Sequence, residues 1–277
     1  METNVSFALL LTTLAGLSTG IGSGIAYFIR RPKYSHLAVM LGFSAGVMVY
    51  ISFAELFKTA IEQVGFGTAN LGFFIGIGVM ALVDMVIPHE YEEEKVENTH
   101  PPAVSENKPR KRGKLRLFSL PAAGEQSVLM RAGVLTALGI AIHNFPEGMV
   151  TFSSAATGNV SLGMAVAVAV AIHNVPEGIA VAAPIFYATG NRRLSFLISF
   201  SSGLAEPVGA LIGYAILFRF LTPTLMSMTL AAVAGIMVYI SLDELLPLAH
   251  RYGQAHSVII GIVGGMAVMA GSLFLLR

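Results

Sequence analysis

Two hexapeptides, His143-Asn144-Phe145-Pro146-Glu147-Gly148 and His173-Asn174-Val175-Pro176-Glu177-Gly178, repeat one pattern inside stretches that are otherwise apolar. On a helix His143 and Glu147 stand four residues apart and Asn144 and Glu147 three apart, so all three side chains share a face, as do His173, Asn174 and Glu177. Imidazole nitrogen with carboxylate and amide oxygen is a borderline-to-hard donor set, suited to divalent Zn, Fe, Co or Mn rather than Cu(I). The chain has no cysteine, which excludes thiolate ligands and a disulfide framework. Pro146 and Pro176 each remove a backbone donor and disrupt the bond to the carbonyl four residues back, at Ile142 and Ile172. Glu206-Pro207 repeats that device and frees the carbonyl of Gly203, so Glu206 joins the candidate ligands.

The elements that hold these residues are membrane spans. With 55% hydrophobic residues, 12% charged residues and a mean hydropathy of +0.72, the chain lies outside the range of soluble domains. Stretches long enough to cross a bilayer fall at about 5–29, 37–57, 71–87, 132–152, 162–186, 194–220, 225–246 and 258–276. Eight spans are expected, the first of them retained because it lacks a basic leader and a cleavage site. Of the 17 Lys and Arg, 14 lie in loops on one side, which places that side in the cytoplasm and both termini outside. An ionisable group within such a span costs several kcal/mol unless it is paired or coordinated, so the twin boxes mark an ion pathway.

The expected organisation is a first triplet of spans over 1–88, a charged cytoplasmic loop over 89–127, a pair carrying the boxes over 128–189, and a second triplet over 190–277. The segment 45–56 in the second span (AGVMVYISFAEL) matches 234–245 in the seventh (AGIMVYISLDEL). Weaker echoes join the first span to the sixth (Gly16 with Gly203, Gly22 with Gly209) and the third to the eighth (Gly78 with Gly264). Five crossings separate the triplets, so they enter the membrane from opposite faces as an inverted repeat, the architecture of alternating-access transporters. The fold class is therefore all-α and integral to the membrane, with eight helices in a 3+2+3 arrangement. Glu55, Asp84, Asp243 and Glu244 sit near span ends, where an interfacial or capping role competes with a place on the pathway. The loop, with its acidic stretch around His89 and His100 and its basic stretch at 108–114, reads as a solvated tether or as a weak cation trap.

These boxes, the span count and the long loop after the third span resemble the ZIP (Zrt-, Irt-like protein) family of metal transporters over essentially the whole chain, most closely its bacterial ZupT-type branch. The resemblance implies a binuclear site in which His143, Glu147, His173 and Glu177 serve one ion, while Asn144, Asn174, Glu206 and the shared glutamates serve a second. Some relatives open the fifth-span box with Gln-Asp; His173-Asn174 here adds an imidazole and removes a charge, which leaves one or two bound ions open. The resemblance also implies a homodimer, and movement of the first, fourth, fifth and sixth helices as a unit against the other four.

The expected function is uptake of Zn2+, with tolerance for Fe2+, Mn2+, Co2+ or Cd2+, across a prokaryotic cytoplasmic membrane. The partners are the transported ion and the lipid bilayer, with no nucleic acid and no resident cofactor. The alternative is an intramembrane zinc hydrolase, against which stand the lack of a His-Glu-x-x-His helix and of a separate general base.

Overall fold

A computed structural model describes residues 5–29, 33–86, 123–156, 160–217 and 222–276. The expected loop over 89–127 lies outside these residues up to position 122, and 123–127 already belong to the helix that follows it. Helix α1 covers Val5–Ser23 and, past Gly24, Ile25–Phe28; α2 covers Tyr34–Ile51 and continues through a wide π turn, Ser52–Phe57, into α3, Lys58–Val86. Helices α4 (Ala123–Ala156) and α5 (Val160–Thr189) carry the two boxes. Helix α6 covers Arg192–Gly203 and Ala205–Ile212 and ends in a π turn, Gly213–Leu217. Helix α7 covers Pro223–Ile240, a π turn at Ser241–Leu245 and Leu246–Tyr252, and α8 covers Ala255–Leu276.

Among the described residues seven helical runs are long and apolar enough to cross a membrane, and one of them, Tyr34–Val86, has 53 residues. At about 1.5 Å per residue a straight helix of that length would run to roughly 80 Å, far beyond a hydrocarbon core of about 30 Å. Gly65 divides it: its φ of 78° and ψ of 162° lie outside the helical region, in a conformation glycine adopts at little cost. The run thus supplies the second and third crossings, with no stretch of coil between them. The sequence expectation of a break over about 58–70 gives way to helix on both sides of one glycine.

Helix starts follow local chemistry. Gly190 (φ 66°) closes the α5–α6 turn, and Asn191 caps α6 by accepting from the Leu194 N–H at 3.0 Å. Thr222 caps α7 through the Leu225 N–H at 3.1 Å, with Pro223 in the first turn, where its missing donor is not needed.

Packing follows the inverted repeat. Helices α1, α4, α5 and α6 form one group, α2 lies along α8, and α3 lies along α7. The last two pairs are counterparts, since the repeat exchanges α2 with α7 and α3 with α8. Glycine against backbone carbonyl closes each: Gly42 and Gly46 meet the carbonyls of Val258 and Ile262, and Gly72 and Gly76 meet those of Met228 and Ala232. Lipid tails are as apolar as leucine, so close van der Waals approach of this kind, rather than burial from water, holds membrane helices together. The groups meet along two further seams, α2 with α5 and α4 with α7, again repeat counterparts. Contact there is made by side chains: Ile240 on α7 reaches Gly139, and Ser44 Oγ donates to the Pro176 carbonyl at 2.7 Å.

Serines tie the α1/α5/α6 faces. Ser18 Oγ donates to the Ala171 carbonyl (2.9 Å), Ser199 Oγ to Gly178 (2.9 Å), Ser195 Oγ to Ala182 (2.6 Å) and Ser23 Oγ to Ser199 Oγ (2.7 Å). Each hydroxyl satisfies itself in a setting without water.

Candidate metal centre

Antiparallel α4 and α5 bring the two boxes face to face, and Pro146 and Pro176 sit inside unbroken helical runs. His143, Asn144, Glu147, His173, Asn174, Glu177 and Glu206 are all buried, none more than 3% exposed. The carboxylates pair across the helices rather than along them: His143 Nε2 lies 2.9 Å from Glu177 Oε1, and His173 Nε2 lies 2.8 Å from Glu147 Oε1. Each imidazole is oriented by its other nitrogen, Nδ1, against a carbonyl one turn back, Gly139 at 3.1 Å for His143 and Ala169 at 3.0 Å for His173. A proton on Nδ1 leaves the Nε2 lone pair free for a metal, and an outer hydrogen bond of this kind fixes tautomer and ring orientation.

The asparagines are also oriented. Asn144 Nδ2 donates to the Ser202 carbonyl at 3.3 Å; Asn174 Nδ2 donates to the Ala15 carbonyl at 3.0 Å and to Glu206 Oε2 at 2.8 Å. With both amide nitrogens committed to donation, the amide oxygens face the other way. Five buried oxygens at the centre then have no hydrogen-bond partner: Asn144 Oδ1, Asn174 Oδ1, Glu147 Oε2, Glu177 Oε2 and Glu206 Oε1. Buried acceptors are rarely left without a donor. A set of acceptors, three of them carboxylate oxygens, is a chemical arrangement that asks for a cation. His143, Glu147 and Glu177 each offer a ligand atom within 4.8 Å of the others.

The last residue of each box has a packing reason. A Cβ on Gly148 would run into the Glu206 carbonyl and one on Gly209 into that of Phe145; likewise Gly178 meets Thr19 and Gly22 meets Val175. Four glycines thus let α6 and α1 press their backbones against the boxes from either side. Sequence reasoning passed over this, although the echo of Gly22 in Gly209 carries the signal.

The span-end carboxylates do not join this centre. Asp84, Asp243 and Glu244 form a second acidic group with ligand atoms within 4.8 Å of one another, and Tyr239 Oη donates to Asp84 Oδ2 at 3.3 Å. Glu55 lies in the π turn of α2, at the repeat position of Glu244 in the π turn of α7. Ser52 Oγ donates to the Met48 carbonyl (2.7 Å) and its counterpart Ser241 Oγ to that of Met237 (2.8 Å).

Comparison with known proteins bears on the same residues. The model of a family described as ZIP Zinc transporter matches residues 87–273. A zinc transporter ZupT of Clostridium perfringens is 49% identical, with 98% of this chain and 96% of that protein covered. Proteins of the same name from Nitratidesulfovibrio vulgaris (49% identical, 98% of each chain) and Lysinibacillus sphaericus (48%, 100% of each) are similarly close. Membrane-length helices, facing His-Asn-x-Pro-Glu-Gly boxes and full-length identity near one half agree: this chain is a multi-pass membrane protein that belongs to the ZIP zinc transporter family.

Proposed function

We propose that the protein takes up divalent metal cations, Zn2+ first, with Fe2+, Mn2+, Co2+ and Cd2+ as weaker substrates, through the buried centre between α4 and α5. The observation that carries this is the set of five partnerless acceptor oxygens beside two oriented imidazoles. The zinc transporter names of its relatives support the choice of metal. In this reading His143, Glu147, His173 and Glu177 form a nitrogen-rich pole, and Asn144, Asn174 and Glu206 an oxygen pole, with room for one ion or two. Without metal each histidine rests on the opposite glutamate; an entering cation replaces those hydrogen bonds, which spares the empty centre four unpaired groups.

The asymmetry of its basic residues supports a cytoplasmic-membrane location with both termini outside. A divalent cation moving inward then gains about 4.6 kcal/mol at about 100 mV, twice the ~2.3 kcal/mol per charge. The group α1, α4, α5 and α6, moving against α2, α3, α7 and α8, opens the centre to each side in turn, as inverted repeats allow. The hydrolase alternative gains no support from the relatives, which are named zinc transporters.

Purified protein in sealed liposomes tests this. Zn2+ influx is expected to be saturable and to fall at least about a hundredfold in Glu147→Ala, roughly the scale of a lost buried charge partner. Absence of metal-dependent flux in the native protein, or unchanged flux in Glu147→Ala, would sink the reading.

A further inference from the structure

The contacts around the centre come in pairs related by the inverted repeat. The step that carries Gly16 to Gly203 and Gly22 to Gly209 also carries Ala15 to Ser202 and Thr19 to Glu206. The structure keeps that correspondence atom for atom: Asn174 donates to the Ala15 carbonyl and Asn144 to that of Ser202. Gly178 lies against the Thr19 carbonyl and Gly148 against that of Glu206, while Gly16 and Gly203 each meet the other's carbonyl. Thr19 is therefore the counterpart of Glu206, and the residue that corresponds to Asn174, the amide bonded to the Glu206 carboxylate, is Asn144.

Thr19 is also chemically unusual. It is fully buried and its Oγ1 has no hydrogen-bond partner. A helical threonine ordinarily bonds the carbonyl four residues back. Elsewhere on α1 that rule holds for Thr12, whose Oγ1 donates to Ala8 (2.9 Å). For Thr19 the corresponding carbonyl, Ala15, already accepts from Asn174 Nδ2 at 3.0 Å and lies 2.6 Å from Ser18 Oγ, whose one proton is shared between it and the Ala171 carbonyl. The hydroxyl instead points across to α6, where a Cβ on Gly203 would lie 2.7 Å from it. The partnerless oxygen at the counterpart box is Asn144 Oδ1.

We propose that Thr19 is a further cation-binding residue of this centre: its hydroxyl oxygen, at the counterpart position of the Glu206 carboxylate, joins Asn144 Oδ1 as a neutral oxygen pair facing a divalent, partly hydrated cation from the side opposite Glu206. The proposal rests on reading the centre as a cation site. A charged oxygen on one flank and a neutral one on the other holds the ion with one carboxylate fewer than full symmetry would give. Such a site desolvates the ion and still releases it, the compromise that conduction requires.

Equilibrium binding of Cd2+ and Zn2+ to the detergent-solubilised full chain tests this. Thr19→Val keeps the shape and removes the oxygen, and should weaken binding roughly tenfold, the scale of one bond to a charged group, with Thr19→Ser recovering most of it. The exchange Thr19→Glu with Glu206→Thr should restore binding that Glu206→Thr alone loses, because the two positions are interchangeable. Native affinity in Thr19→Val would overturn the proposal, as would an exchange variant no better than Glu206→Thr. A native chain that binds neither metal would instead overturn the reading of the centre itself.

Discussion

Helices α4 and α5 are the pair that stayed alike, whereas α1 and α6, which press on them, have diverged. Between the boxes every donor atom has a counterpart: two imidazoles on carbonyls one turn back, two glutamates on the opposite histidine, two amides on a backbone oxygen. On the flanks only the glycines and backbone contacts are kept, while Glu206 faces Thr19 across the repeat. The same contrast recurs at the seams, where Ser44 on α2 bonds the Pro176 carbonyl and its counterpart on α7 is Val233, buried and without a hydroxyl. Close approach of backbones is what the two halves must share. The side chains on either flank of the centre are free to differ.

The strongest test of the shared part is steric. Gly148→Val and Gly178→Val each drive a side chain into the backbone of a neighbouring helix, and each should cost more than about 4 kcal/mol and abolish a monodisperse protein on size exclusion. Gly78→Ala, where nothing lies within 4 Å of the added carbon, should instead raise thermal stability slightly, by up to about 1 kcal/mol of helix propensity. If the Gly148 and Gly178 variants differed widely, the two box faces would not be equivalent. Next in size is charge: Asn174→Asp adds a carboxylate beside Glu206, and should raise Zn2+ occupancy in an ion-counting experiment while slowing release in the flux assay. No change in either would mean that the Asn174 position does not face the ion. Smallest is the seam. Ser44→Ala removes one hydrogen bond, worth about 0.5–1.5 kcal/mol, and should shift the balance of closed states roughly two- to tenfold. Since the chain has no cysteine, a single one introduced beside the centre reports that shift as a change in labelling by impermeant thiol reagents from each face. Equal labelling in both proteins would remove the hydrogen bond from the energetic difference.

The membrane-length helices, the meeting of the two boxes and the matching α2–α8 and α3–α7 pairs were legible because each is written in a local pattern: apolar length, the repeated hexapeptide and the 45–56 echo in 234–245. Partnership was not. Spacing of four within a box suggests that His143 and Glu147 work as a unit, yet each binds across to α5, because a facing helix offers better geometry than its own next turn. Helix ends were blurred for a related reason: Gly65 alone reverses the chain between the second and third crossings, and one residue leaves almost no compositional trace. The Thr19 hydroxyl was invisible because its lack of a partner depends on what Asn174 and Ser18 do to the Ala15 carbonyl.

The glycine contacts have a mechanical consequence. Where a Cα sits against a carbonyl, as between α2 and α8, α3 and α7, α1 and α5, or α4 and α6, a shift along the axis would bring a bulkier residue into that slot. Such surfaces behave like meshed teeth and do not slide. The two seams have rotatable side-chain ends instead, Ile240 over Gly139 and the Ser44 hydroxyl, which re-pack at low cost. The uptake proposed above, if it moves α1, α4, α5 and α6 as a unit against the other four helices, would run along these two seams.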